Sequence, residues 1–320
     1  PYSIAYSYTS ADTFSATATA TAHNNSELTT EDTFEIVRDI TPPATTDDWT
    51  DNWTLAATVT VTLTPSDGPT GSGVADTVYC VDTSNSCTPS TSATTVEITC
   101  PSGSVCTRYV RYHSTDNTNN SEAVNSQRVR QDRKVPIAGT VSPAGSDSGT
   151  HVDAVFDMSA AFTSDGTNIL SCDYCLSLDG NCDTEWASAT FSAPGTTSGA
   201  CSVSGLTCSD GDSLTLNMRA VNALYRTGYG SAVSRTCDDT APATTDDWPD
   251  DNWTNTSPLV VTLTPADTGG SGVRDTFYCI DTSNTCTPST SGVQPSATCA
   301  ADTVCTQYSR YFIRDNVDND

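Results

Sequence analysis

The sequence predicts an all-β chain of tandem immunoglobulin-like sandwiches held by local disulfides. Three observations predict it. Short Thr- and Val-rich runs alternate apolar with polar residues, an internal repeat carries Cys80 to Cys279 at a spacing of 199 residues, and fourteen cysteines recur in matching steps.

Alternation comes first because it sets the local structure. In Thr58-Val59-Thr60-Val61-Thr62-Leu63-Thr64 every second residue is apolar, the pattern of a strand with one buried face. Thr on the other face keeps β-propensity high without an apolar surface. Val152–Met158 carries a looser version. Gly-, Asn- and Asp-rich punctuation returns about every 8–12 residues, and no segment sustains a helical period, which favours sandwiches over βα units.

The repeat sets the organisation. Pro43-Ala44-Thr45-Thr46-Asp47-Asp48-Trp49 returns as Pro242-Ala243-Thr244-Thr245-Asp246-Asp247-Trp248, and Gly71-Ser72-Gly73-Val74 as Gly270-Ser271-Gly272-Val273. Cys80, Cys87, Cys100 and Cys106 step by 7, 13 and 6, as do Cys279, Cys286, Cys299 and Cys305. A related unit lies between them, with Cys175 and Cys182, Cys201 and Cys208, and the additional Cys172 and Cys237. Residues 1–40 lie without gaps on 200–239. The expected domains are therefore 1–40, the C-terminal part of a B-type unit; 41–134, an A-type unit; 135–240, a complete B-type unit; and 241–320, an A-type unit truncated at its C-terminal end. The expectation is a window on a longer array.

Composition excludes several classes. Thirteen basic against 39 acidic residues give a formal charge of −26, so counterion release cannot hold a nucleic acid. No run approaches the ~18 apolar residues of a membrane span. Fourteen cysteines suit an oxidising, extracellular setting. Only Cys172 and Cys175 form a Cys-x-x-Cys pair, which leaves a zinc site two ligands short.

Spacing assigns the bridges Cys80–Cys87, Cys100–Cys106, Cys175–Cys182, Cys201–Cys208, Cys279–Cys286 and Cys299–Cys305, with Cys172–Cys237 as the seventh. Crossed pairing, first with third and second with fourth, stays open. Closing an eight-residue loop stabilises by ~2.5 kcal/mol on the chain-entropy account.

Three motifs resemble the bacterial and archaeal Ig-like (Big-type) repeats of long surface proteins, in a cysteine-stapled version. They are the Asp-x-Thr-x-Pro junction at Asp238–Pro242, the Gly-Ser-Gly-Val turn, and an ending that runs Tyr112-His113-Ser114-Thr115-Asp116-Asn117 to Glu122. The resemblance spans nearly the whole chain and is weakest in the middle unit. It implies sandwich domains and an extracellular, mostly mechanical role, and it supplies no active site.

No catalytic constellation stands out in the sequence. His23, His113 and His151 fall in different units, and no nucleophile motif accompanies any of them. Calcium is the candidate cofactor, and the reading requires no other. Asp39, Asp47, Asp48 and Asp51 gather around one junction, and Asp238, Asp246 and Asp247 around its repeat, as oxygen ligands for a hard cation. N-glycosylation sequons start at Asn24, Asn52, Asn119, Asn252 and Asn255. Trp49, Trp53, Trp248 and Trp253 are expected to pack at domain ends rather than to stack on sugars.

The sequence thus predicts a non-enzymatic structural protein. Serial Ig-like units would form an extracellular filament or cell-surface stalk whose partners are neighbouring copies or domains. The alternatives are an adhesin whose units bind glycans or a partner cell, and the accessory modules of a secreted enzyme.

Overall fold

The computed structural model describes residues 14–23, 29–144, 147–182, 186–249 and 252–320. It divides into two compact units, Pro1–Lys134 and Val135–Asp320.

The first unit opens with an antiparallel hairpin of β1 (Phe14–His23) and β2 (Thr29–Arg38). An A-type sandwich follows. Its strands are β3 (Ala44–Asp47), β4 (Trp53–Thr54), β5 (Thr58–Ser66), β6 (Val74–Asp82), β7 (Thr91–Ser92), β8 (Thr95–Thr99), β9 (Val105–Asp116) and β10 (Asn125–Asp132). One sheet has the order β3-β5-β8 and the other β4-β10-β9-β6-β7. This is an immunoglobulin-like arrangement, with the short β4 running parallel to the last strand. The alternation decides which side faces in. Val59, Val61 and Leu63 of β5 and Val96 and Ile98 of β8 meet Val110, Tyr112 and Val129 of the facing sheet, while the intervening threonines of β5 are exposed. Each fully buried Val or Leu contributes roughly 1.5–3 kcal/mol before the entropy of ordering it.

In the second unit a B-type sandwich comes first, with β11 (Ile137–Ala138), β12 (Ser142–Ala144), β13 (His151–Val152), β14 (Val155–Thr163), β15 (Ile169–Ser177), β16 (Ala187–Phe191), β17 (Ser198–Thr207), β18 (Ser213–Asn222), β19 (Thr227–Tyr229) and β20 (Val233–Cys237). Here β16 pairs with both β15 and β17, so the two faces join into one continuous ten-stranded sheet. Its core is the larger one, built on Phe156, Met158, Phe162, Ile169, Leu214, Leu216 and Met218. The second A-type module follows with β21 (Ala243–Asp246), β22 (Leu259–Val260), β23 (Leu263–Ala266), β24 (Val273–Asp281), β25 (Thr290–Ser291), β26 (Ser296–Ala297) and β27 (Tyr308–Asp315). The hairpin of the first unit fits the repeat, because β1 and β18 cover equivalent residues at the 199-residue spacing.

Seven disulfides use all fourteen cysteines. Five have the short-range pairing that the spacing assigns: Cys80–Cys87, Cys100–Cys106, Cys175–Cys182, Cys279–Cys286 and Cys299–Cys305. The remaining four cysteines pair differently. The structure joins Cys172 to Cys201 and Cys208 to Cys237, not Cys201 to Cys208 and Cys172 to Cys237. Strand geometry gives the reason. Cys201 lies within β17 and Cys208 just past its end, so the extended chain separates them by about 23 Å, against the roughly 4.4–6.8 Å between Cα atoms that a disulfide tolerates. Cys172 and Cys201 instead face each other across the core, both buried, with Cα atoms 6.0 Å apart.

The A- and B-type modules close the same end differently. In the A-type module Cys106 is the cross-strand neighbour of Gln131. In the B-type module the position equivalent to Gln131 is Cys237, so the bridge has moved one strand sideways.

The hairpin loops after β6 and β24 are organised by an aspartate. Asp82 accepts from the backbone N–H groups of Ser86 (2.8 Å), Cys87 (2.9 Å) and Asn85 (2.8 Å). These donors, led by Ser86, hold its carboxyl at about 2, and Thr285 leads an equivalent set that holds Asp281 at about 2.

Three outcomes are expected. Peptide mapping without reduction recovers Cys172–Cys201 and Cys208–Cys237 peptides, and a Cys201–Cys208 peptide contradicts the fold. Replacing Cys172 and Cys201 together by Ala costs about 3–4 kcal/mol, from the loop of roughly 30 residues that the bridge closes. A depressed folded-state carboxyl contributes stability above its unfolded value of 3.8 and loses it as pH falls toward 2. The loss of stability between pH 4 and 2 is therefore smaller in an Asp82→Asn, Asp281→Asn chain, measured by thermal melts.

Candidate metal centre

At one end of each A-type module three segments converge on a group of carboxylates. In the first unit they are the residue after β2, the turn after β5 and the turn after β9. Asp39, Asp67 and Asp116 each offer an oxygen, and these atoms all lie within 4.8 Å of one another. In the second unit Asp238, Asp267 and Asp315 do the same. Oxygens bound to a calcium ion at 2.3–2.6 Å are separated by up to about 5 Å, so the spacing suits a hard cation.

The local sequence explains each placement. Asp116 ends β9 and caps its own turn: Oδ1 accepts from the N–H groups of Thr118 (2.9 Å) and Asn120 (2.8 Å), and Oδ2 from Asn120 Nδ2 (2.7 Å). The next residue, Asn117, stitches that turn to the Gly-Ser-Gly-Val turn by donating Nδ2 to the carbonyls of Ser72 (2.8 Å) and Gly73 (2.9 Å). Gly73 has φ 88°, a conformation that favours glycine. A Cβ on Gly71 would lie 2.4 Å from Asp67 Oδ2, so the turn wraps directly onto that carboxylate. The second module repeats this with Asp315, Asn319, Asn316 and Gly270.

The aspartate from the preceding module completes the set. Asp39 Oδ2 accepts from Ser72 N (2.6 Å) and Oδ1 from Thr41 N (3.0 Å), while its carbonyl accepts from Asn120 Nδ2 (3.2 Å) and Thr118 Oγ1 (3.2 Å). Asp238 Oδ2 accepts from Ser271 N (2.6 Å), and its carbonyl from Asn319 Nδ2 (3.0 Å). Its own N–H donates to Val152 O (2.9 Å) of the B-type module. One residue thus hydrogen-bonds to both modules that it connects.

The electrostatics are unfavourable without a counter-charge. Asp39, Asp116, Asp238 and Asp315 are buried, and Asp67 Oδ1 is a buried oxygen without a hydrogen-bond partner. Burial raises Asp267 above its usual range, the neighbouring Asp238 and Asp315 charges raise it further, and the Gly272 N–H and His151 oppose them. Burial also pushes Asp116 up, but the Asn120 and Thr118 donors outweigh it and hold that carboxyl low. The B-type module departs from this pattern, because Asn222 takes the turn-capping role of Asp116. Its buried amide oxygen accepts from Leu224 N (3.1 Å) and Arg226 N (3.0 Å). Among the described residues such triads form only in front of A-type modules.

Of the aspartates expected from the sequence, Asp39 and Asp238 belong to these centres. The others do not, because nearer donors engage them. Asp47 accepts from Tyr112 Oη (2.7 Å) and Trp49 N (3.0 Å), and Asp246 from Tyr311 Oη (3.2 Å) and Trp248 N (3.1 Å). Asp48 and Asp247 accept from the N–H groups of Thr62 and Thr262. Asp51 pairs with Arg128 and Arg130. The sequence reading missed Asp67, Asp116, Asp267 and Asp315. A signal existed, since an Asp precedes the Gly-Ser-Gly turn in both copies and another begins each Asp-Asn turn.

Asn52, Asn119, Asn252 and Asn255 are exposed, and Asn24 lies outside the described residues. Trp49 packs against the A-type core, and Trp53 lies under the Arg130 guanidinium, 5.1 Å from its ring centre. Trp253 is 80% exposed.

No protein-family model matches the chain, and no curated protein matches its sequence. Solved structures of modular proteins resemble it loosely. The fibronectin(III)-like modules of Clostridium thermocellum CbhA are 12% identical, covering 61% of this chain and 94% of that one, with a TM-score of 0.28. The D00-D0 domain of intimin is 11% identical over 61% and 99%, TM-score 0.34. The FN1–FN3 domains of chicken CNTN1 are 11% identical over 87% and 89%, TM-score 0.30. Superpositions this loose say nothing of function, and the immunoglobulin-like topology rests on the strand pairing itself.

The raised Asp267 fixes the sign of a pH effect. Its protonated form is favoured in the folded state, so its ionisation costs stability as pH rises from 3.8 through the folded value. In chelator at neutral pH, Asp267→Asn should melt at a higher temperature than the parent, and the difference should vanish below pH 3.8. An equal or lower melting temperature at neutral pH contradicts the electrostatic account.

Proposed function

We propose that the chain is part of a non-enzymatic, extracellular structural array whose joints are stiffened by calcium. The observation that carries this reading is the convergence of three aspartates, one from the preceding module and two from the A-type module, within 4.8 Å in front of each A-type module. An ion held there bridges two modules and neutralises buried negative charge, so binding and joint rigidity are linked. Seven disulfides fit an oxidising compartment.

The chemistry of the joints suits a mechanical role. Backbone hydrogen bonds and short bridges fix each module, while acidic loops repel nonspecific partners at a formal charge of −26. Because Asn222 takes the place of Asp116 in the B-type module, the ions would sit in front of the A-type modules. The proposed partners are neighbouring modules of the same kind, in a filament or a cell-surface stalk.

Melting and small-angle scattering with and without calcium test this. Calcium at ten times its dissociation constant should stabilise each A-type module by about 1.4 kcal/mol and narrow the distribution of maximum dimension. Asp116→Asn combined with Asp315→Asn should remove both effects. Identical curves in calcium and in chelator would contradict the proposal.

A further inference from the structure

Strand β16 belongs to both faces of the B-type sandwich, and that sharing opens a cleft. It pairs with β17 at Thr190 and Phe191, and Ser192 N carries the ladder on to Ala200 O (2.8 Å). From Ala187 to Ala189 it pairs with β15 instead. A strand that passes from one sheet to the other turns away from its first partner. At this divergence lies a cleft of 510 Å³, within the size range of small-molecule sites. Its walls carry the hydroxyls of Ser159, Ser188, Thr190, Ser202 and Ser204. The carboxylate in its lining, Asp157, is already engaged and accepts from Gly205 N (2.9 Å).

The rim of this cleft continues into an aromatic platform. Ser188 is the cross-strand neighbour of Asp173, Asp173 of Arg219, and Arg219 of Tyr229, so these side chains form a row on one face of the sheet. That face is the outward one, because Met218 and Ala220 on either side of Arg219 point into the core. Trp186 joins the row. The Arg219 guanidinium lies 4.5 Å from its ring centre, and Tyr229 meets it edge-on with ring centres 5.8 Å apart. Arg219 Nε donates to Asp173 Oδ2 (2.8 Å), which fixes the cation against the indole. Tyr229 is 57% exposed. The leading B-type copy has Ala20 and Thr30 at the positions of Arg219 and Tyr229, yet β1 and β2 pair there, so strand pairing does not need the platform.

We propose that cleft and platform together form a carbohydrate site whose ligand is a neutral oligosaccharide. Hydroxyls that both donate and accept match the hydroxyls of a sugar. The aromatic rings supply the apolar surface on which the C–H face of a pyranose stacks. Charge narrows the class. At −26 the chain repels acidic glycans and nucleotides, and the cation of the platform, Arg219, is already paired with Asp173. The site belongs to the B-type module, because in the first A-type sandwich the two sheets stay separate and no shared strand opens such a cleft. B-type modules would hold sugar where A-type modules hold ions, and the site does not depend on the cation centres.

Calorimetric titration of the whole chain in chelator with cellohexaose, chitohexaose and mannohexaose tests this. At least one should bind with a Kd of about 1 mM or tighter, and the affinity should not change with salt, as befits an uncharged ligand. Trp186→Ala, Tyr229→Thr and Ser204→Val should each weaken that binding by roughly tenfold or more, with the melting temperature of Tyr229→Thr unchanged. No binding by any of the three sugars, or binding that any of these substitutions leaves intact, overturns the proposal. Binding of an extended peptide with the sequence of Thr58–Thr64 in place of the sugars also overturns it, since the cleft would then be a groove for a strand.

Discussion

Buried carboxylates at the joint are the constraint on which the rest of the A-type module depends. Asp116 and Asp315 are almost inaccessible to solvent, yet each lies within reach of two further carboxylates. Such a group persists only where donors or a cation offset the repulsion, because an unpaired buried charge is costly. The protein supplies donors from three directions: the Asp-Asn turn, the Gly-Ser-Gly turn and the linker. Each of those segments is therefore positioned by the same oxygens. The remaining charge is what a hard cation would neutralise.

The staples divide the work differently in the two module types. The A-type core is small, and its bridges close short loops at the ends of strands. The B-type core is larger and contains Cys172 and Cys201 among its buried residues. A bridge across the core ties strands from opposite faces, which a hairpin bridge cannot do. The Cys208–Cys237 bridge sits immediately before Asp238, so the linker leaves the B-type module from a fixed point. The Val152 carbonyl then holds Asp238 itself. Covalent and hydrogen-bonded restraints meet in two consecutive residues.

Much of this was readable in the residues themselves. The strict alternation in Thr58–Thr64 marked β5 and its buried face, and the repeat spacing aligned the leading hairpin with β18 and β20. The pairing of Cys201 with Cys208 was misread because the A-type bridge spans a tight turn, whereas the B-type cysteines bracket much of one long strand. The first copy held the correction, since Thr9 and Arg38 stand where Cys208 and Cys237 would be. The metal centre was half readable. Proximity in sequence drew attention to Asp47, Asp48 and Asp51, whose side chains are used by Tyr112, Thr62 and Arg128. Loops that meet only in three dimensions bring in Asp67 and Asp116, and no spacing rule reaches across 77 residues from Asp39 to Asp116.

Calorimetric titration of the chelator-stripped chain with calcium tests the central claim most directly. The account predicts two ions per chain of 320 residues, one for each A-type module, falling to one in Asp116→Asn and to none when Asp315→Asn is added. Absence of binding at millimolar calcium would contradict it, as would a stoichiometry that these substitutions leave unchanged.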